Sequence, residues 1–223
     1  MINLIDRREL TSAKALQFFT YVIRTLLLIG VVILSMQTRY PEAVATCGIL
    51  IATFIPKLLR HQLNVTVPIE FEFLTVVFIY LSLFLGEIEG YYHVYWWWDL
   101  MLHMFSGFIA GMFGFVLVHV LNENDEIGLH LKPGFVAFFA FLFSLGFGVF
   151  WELFEYSMDK IFALNMMKSG LDDTMEDLFV ALTGALIISI IGYRYLKRKN
   201  KVGFFEQWVY KFVKQNPRLF RHN

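Results

Sequence analysis

The sequence is poor in charged residues and has almost no cysteine. Only 17% of its residues are charged and 57% are hydrophobic, against about 25% and about 45–50% in soluble globular domains. That composition excludes a disordered chain and an ordinary soluble enzyme. The 19 Lys and Arg equal the 19 Asp and Glu, so the basic surplus of a nucleic-acid-binding protein is absent and no nucleic-acid partner is expected. The one cysteine, Cys47, excludes an intrachain disulfide and a CxxC metal or redox site.

Long apolar stretches occupy most of the 223 residues. A membrane-crossing helix needs about 20 mostly apolar residues, and six stretches meet or approach that length. We predict an all-α polytopic membrane helix bundle in one domain, residues 1–223, with spans at about 16–36, 42–59, 69–86, 100–121, 134–161 and 178–196. An apolar stripe at 203–215 predicts a C-terminal amphipathic helix in the membrane interface. Docking of that stripe on cytoplasmic loops is the alternative.

The basic residues lie mostly on one side of these spans. Fifteen of the 19 fall before span one, after span six, or in the connections that share that side, and three fall on the other side. Cytoplasmic segments of membrane proteins carry the excess of Lys and Arg. We therefore expect a multi-pass protein of the bacterial cell membrane with both termini in the cytoplasm. Its expected partner is the lipid bilayer, and the oligomeric state is left open.

Acidic residues and one histidine stand at the ends of the last three spans. Spacings of three or four residues place the members of each pair on one helix face. In the predicted topology, all three helix ends lie at the extracytoplasmic face of the membrane. The six residues are Asp99 and His103 at span four, Glu152 and Glu155 at span five, and Asp173 and Asp177 at span six.

Small residues continue each of these polar faces toward the middle of its span. Gly107 and Gly111 follow His103, Gly148 and Ser144 precede Glu152, and Ala181 with Gly184 or Ala185 follows Asp177. Small residues let helices approach closely in lipid. We therefore expect the acidic side chains to point into the bundle and to share one pocket.

Several carboxylates in one partly buried pocket cannot all be ionised unaided, because burial and like charge both oppose ionisation. A divalent cation would neutralise them, and a mixed oxygen and nitrogen set suits Zn²⁺, Mn²⁺ or Mg²⁺. Proton sharing with acid/base work by the carboxylates is the alternative. The candidate metal ligands are His103, Glu152, Glu155, Asp173 and Asp177. The candidate catalytic residues are Asp99, His103, Glu152 and Glu155.

Structural roles compete with these interpretations. Asp99 could cap the helix of span four, and Asp159 and Asp172 could be rim residues. A network of His103 with the acids could also serve structure alone. Glu152 and Glu155 are harder to explain in this way, because they lie near a helix C-terminus, where negative charge is unfavourable.

The runs Asp99-Leu-Met-Leu-His103, Trp151-Glu-Leu-Phe-Glu155 and Asp173-Thr-Met-Glu-Asp177-Leu178 resemble a family of uncharacterised bacterial membrane-spanning proteins. More distantly, residues 99–192 are similar to the VanZ-like family, whose founding member is linked to teicoplanin resistance. Leu100, Glu155 and Ala181 depart from the VanZ-like pattern. The resemblance implies a compact helical membrane fold with a polar site at Asp99, His103, Glu152, Asp173 and Asp177.

The functional hypothesis is an extracytoplasmic-facing Asp/Glu/His site, metal-dependent and acting on a lipid or cell-envelope precursor. The first alternative is a module that binds a cation or proton for transport and breaks no bond. The second is a protein that interacts with other envelope components without catalysis.

Overall fold

The computed structural model describes residues 2–58, 66, 68–122, 130–162, 166–167, 170–197, 211–212 and 214–216. Helices dominate these residues and none of them lies in a β-strand, which confirms the all-α prediction. Within the described ranges, six helices are long and apolar enough to cross a membrane. They are Ser12–Met36, Tyr40–Leu58, Ile69–Ile88, Trp98–His119, Pro133–Ile161 and Leu171–Lys197.

Contacts between helices divide the chain into an N-terminal unit, Met1–Tyr95, and a C-terminal unit, Trp96–Asn223. The single membrane domain stays a prediction. The predicted interfacial helix at 203–215 lies mostly outside the described residues. Of that segment, positions 211–212 and 214–215 are helical.

The N-terminal unit consists of helices α1 (Ile2–Met36), α2 (Tyr40–Ala52), α3 (Ile69–Ile79) and the short α4 (Tyr91–Val94). Pro41 lies in the first turn of α2 and Pro68 directly precedes α3, positions that suit proline because they need no intrahelical N–H bond. A π-helix, Tyr80–Ile88, continues α3. Leu27, Ile49 and Phe84 form a buried core between these elements.

Arg24 lies in the middle of the first span, and the structure gives it several partners. Its guanidinium lies 3.2 Å from Glu72 and donates a 2.8 Å hydrogen bond to the carbonyl of Thr53, where α2 ends. It also stacks over the ring of Phe54, 4.2 Å from the centroid. Arg24 therefore neutralises the carboxylate of Glu72 and donates a hydrogen bond to a backbone carbonyl at the end of α2, within an apolar segment.

The C-terminal unit consists of helices α5 (Trp98–Asn122), α6 (Pro133–Phe162) and α7 (Leu171–Lys197), each in contact with the other two. The sixth span begins earlier than we predicted, at Leu171 in place of residue 178. Gly170 adopts a positive φ of 77° before α7, and Asp172 and Asp173 lie in the first helical turn. Acidic side chains are favourable there because the helix N-terminus carries partial positive charge, so the helix extends through the acidic segment.

Backbone-to-backbone packing holds α5 against α7. A Cβ atom added at Gly107 would meet the backbone of Ala181, and one added at Gly184 would meet the backbone of Met104 and Phe108. The hydroxyl of Ser144 on α6 donates a buried 2.6 Å hydrogen bond to the carbonyl of Gly107. The predicted stripes of small residues are therefore the helix contacts of this unit.

Candidate metal centre

His103 lies at the centre of a polar cluster to which all three long helices of the C-terminal unit contribute. Its Nε2 is 3.5 Å from Oδ1 of Asp99 on the same helix and 3.7 Å from Oδ2 of Asp177 on α7. Its Nδ1 is 3.6 Å from Oε1 of Glu152 on α6. These separations exceed direct hydrogen bonds of about 2.7–3.2 Å. Carboxylates therefore face both ring nitrogens of one imidazole.

The cluster is deeply buried. His103 is 7% exposed, Glu152 6%, Glu155 8% and Asp177 1%. Both carboxylate oxygens of Glu152 and Oδ1 of Asp177 are buried without a hydrogen-bond partner among the described residues. An uncompensated buried carboxylate is costly, so this cluster needs a cation or protons to be stable.

Two groups of side chains meet at His103. In the first group, Asp99, His103 and Asp177 each offer a ligand atom within 4.8 Å of the others. In the second group, His103, Glu152 and Glu155 do the same. Five of the six predicted site residues therefore converge.

Asp173 is the predicted ligand that the structure leaves out of both groups of converging atoms in the described part of the chain. It is half-buried, one turn before Asp177 on α7. Its role as a ligand stays a prediction.

Asp159 has a local structural role. Its carboxylate accepts hydrogen bonds from the backbone N–H groups of Met166 and Met167, at 2.8 and 3.0 Å. These bonds tie the end of α6 to the segment before α7. Asp172, the other predicted rim residue, is exposed.

Trp151 is a site neighbour to which our sequence analysis gave no role. Its indole Nε1–H donates a 2.9 Å hydrogen bond to Oε1 of Glu155, one helical turn away. The bond engages one oxygen of Glu155 and fixes the orientation of its carboxylate. The signal in the sequence is the i,i+4 spacing of an indole donor and a carboxylate acceptor.

The donor set and its spacing fit a divalent cation. Ligand atoms about 2.0–2.2 Å from one metal ion stand about 3–3.5 Å from each other. The distances of 3.5–3.7 Å around His103 are close to that range. Carboxylate oxygen with one imidazole nitrogen suits Zn²⁺, Mn²⁺ or Mg²⁺. The cluster could therefore hold a metal ion.

All of these residues lie within the segment, residues 19–198, that matches the sequence pattern of DUF2238, a family described as a predicted membrane protein. The chain belongs to the DUF2238 family. An uncharacterized protein of Thermotoga maritima is 28% identical over 174 residues, covering 78% of this chain and 88% of that protein. No solved structure matches the chain.

The predicted resemblance to an uncharacterised membrane family is thereby confirmed. The DUF2238 match also includes the first three predicted spans, where we identified no motif. The more distant VanZ-like resemblance stays a prediction.

Proposed function

We propose that this DUF2238 protein is a metal-dependent membrane enzyme whose His103 cluster acts on a lipid or cell-envelope precursor. The observation that carries the proposal is a buried imidazole with carboxylates at both nitrogens, among them Glu152, whose two oxygens have no hydrogen-bond partner in the described structure. Burial of these carboxylates costs free energy when no cation compensates their charge. A bound divalent ion would neutralise the charge and stabilise the cluster.

The position of the cluster supports a substrate with a polar head on an apolar tail. Asp99 lies in the first turn of α5 and Asp177 in the early turns of α7, both helices long enough to cross a membrane. The predicted topology places these ends at the extracytoplasmic head-group level. A lipid-linked precursor presents its polar group at that depth while its tail stays in the bilayer.

The residues of the cluster have different proposed roles. His103 and the carboxylates hold the cation, and a bound divalent ion supplies Lewis acidity at a phosphoryl or carbonyl oxygen or lowers the pKa of water. Carboxylates not engaged as ligands are positioned to accept or donate a proton. Trp151 keeps the carboxylate of Glu155 in one orientation.

Elemental analysis of the purified full-length protein tests the metal centre. We expect a divalent metal at one ion per chain, which His103→Ala abolishes while the variant still elutes as a folded protein. Glu176→Gln is the matched control, since Glu176 is exposed and adjacent to Asp177. Wild-type protein that stays metal-free after incubation with Zn²⁺, Mn²⁺ and Mg²⁺ would refute the proposal.

Incubation with a bacterial polar-lipid extract tests catalysis. Mass spectrometry should detect a lipid or precursor product that requires the metal and is absent with His103→Ala and with Glu152→Gln. Metal binding without any such product would favour the second candidate below.

The second candidate is a cation- or proton-binding module for transport or envelope interaction, without catalysis. The near-complete burial of Glu152 and Asp177 favours it, because a closed site gives a large substrate little access. Cation or proton flux into reconstituted vesicles, lost in Asp177→Asn, would support transport over catalysis.

A further inference from the structure

Resting on the proposed function, we propose a division of labour around His103: the cation binds at Nε2 with Asp99 and Asp177, and the carboxylate of Glu152 accepts a hydrogen bond from Nδ1–H. Glu152 is then a positioning residue that sets the tautomer and orientation of the imidazole. Glu155 is outside the coordination sphere.

A neutral imidazole can bind a metal ion through only one of its nitrogens, so the ion would lie with one of the two groups of side chains. A neutral ring has one nitrogen with a lone pair and one that carries a proton. Nε2 faces Asp99 and Asp177, and Nδ1 faces Glu152. One nitrogen therefore binds the metal and the other donates a hydrogen bond, commonly to a carboxylate in metal centres.

The number of available carboxylates favours the metal at Nε2. Two carboxylates lie within 3.7 Å of Nε2, and together they balance the charge of one divalent ion. At Nδ1, Glu152 is the one carboxylate at comparable distance in the described part of the chain. Glu155 accepts the indole N–H of Trp151 through one of its oxygens. Nδ1–H can donate one hydrogen bond, and the carboxylate of Glu152 faces it. We therefore assign Nε2 to the metal ion and Nδ1–H to the hydrogen bond with Glu152.

Helix packing supports a rigid Nε2 side. Asp99 and His103 are on α5 and Asp177 is on α7, the two helices whose backbones meet at Gly107 and Gly184. Metal ligands must be held to within about 0.5 Å, which rigid helix pairs do best.

Exposure supports the same assignment. The side chain of Asp99 is 16% exposed, against 7% for Glu152 and 2% for Asp177. Of the two possible metal positions, the one beside Asp99 has more room for an exchangeable ligand, because Asp99 is the most exposed of these side chains. Glu152, which faces Nδ1, is buried.

Zn²⁺ titration of the full-length protein in detergent, with a competing chelator dye, tests the division. Asp177→Asn should abolish measurable binding. Glu152→Gln should weaken Zn²⁺ binding by about 10–100-fold, as loss of a partner beyond the ligands does, and keep one ion per chain. The control Glu176→Gln should bind as wild type. Where Asp177→Asn fails to fold, Asp99→Asn carries the same prediction at a less buried position.

The outcomes separate this inference from the proposed function. Loss of Zn²⁺ with Glu152→Gln or Glu155→Gln, and retention with Asp99→Asn and Asp177→Asn, overturns the division and leaves the metal centre in place. Two Zn²⁺ ions per chain would overturn the division as well. So would an equal loss of Zn²⁺ binding in Asp177→Asn and in Glu152→Gln. A wild-type protein that binds none of Zn²⁺, Mn²⁺ and Mg²⁺ removes both proposals.

Discussion

Carboxylates one helical turn apart on α6 show how strongly local surroundings decide the role of a residue. Glu155 is buried beside Glu152 and accepts the indole N–H of Trp151. Asp159 accepts backbone N–H groups of the following segment. Both are acidic residues near the same helix end, yet one belongs to the candidate metal centre and the other stabilises a connection.

Arg24 allows a sharp residue-scale prediction. Arg24→Met leaves Glu72 without its cation in an apolar segment, and we expect it to lower the free energy of unfolding by about 2–4 kcal/mol, approaching the loss seen when a buried pair is broken. The double variant Arg24→Met/Glu72→Met should recover at least about half of that loss, because no uncompensated charge remains. Unfolding in mixed detergent micelles measures both.

The pair Arg39–Glu42 is the matched control for this cycle. Its side chains are 43% and 37% exposed and 3.1 Å apart, so Arg39→Met should change stability by less than about 1 kcal/mol. Strictly additive effects of the Arg24 and Glu72 substitutions would contradict the interpretation of Arg24 as a compensating cation.

At the scale of elements, the contact of α5 with α7 determines the geometry of the candidate metal centre. Glycines at this contact bring the backbones together, and His103 lies one turn from Gly107 and Asp177 two turns from Gly184 along their helices. The hydrogen bond of Ser144 to Gly107 connects α6 to the same place. The packing that holds the bundle together therefore also fixes the spacing of the polar side chains.

Gly184→Ala tests this coupling. The added Cβ would meet the backbone of Met104, which cannot move aside as a flexible side chain does, so we expect a loss of about 1–3 kcal/mol in stability. Because α5 and α7 move apart, Zn²⁺ affinity should fall together with stability.

Gly146→Ala is the control, since a Cβ at Gly146 has nothing within 4 Å. It should be neutral or stabilising by up to about 1 kcal/mol through helix propensity, with unchanged Zn²⁺ binding. Wild-type Zn²⁺ affinity in Gly184→Ala would show that the helix contact does not set the spacing of the site.

At the scale of the whole molecule, the function depends on which side of the membrane the cluster faces. Six candidate spans predict an even number of crossings, which would put both termini on the same side. The excess of basic residues predicts that this side is the cytoplasm. The ends of α5 and α7 that carry Asp99 and Asp177 would then face outward, toward envelope precursors.

Single-cysteine labelling in a Cys47→Ser background tests the orientation. Trp96→Cys, at a position 82% exposed just before α5, should react with a membrane-impermeant maleimide from outside the membrane. His130→Cys, at an exposed position before α6, should react only after permeabilisation. The reverse pattern would place the cluster at the cytoplasmic face and remove the basis for an extracytoplasmic substrate.

The sequence alone determined the helical membrane class, six spans at nearly the observed positions, and three acidic helix ends at one predicted level. Hydropathy and residue spacing carry this information because they act along the chain. Tertiary structure decided that both nitrogens of His103 face carboxylates, that Trp151 holds Glu155, and that Asp173 stays outside the converging groups. Successive residues differ by about 100° around a helix axis, so small rotations of one helix against another select which side chains meet. The packing at Gly107 and Gly184 sets those rotations. The pattern of small residues predicts which faces meet, but the rotation itself depends on the fit of the two helices.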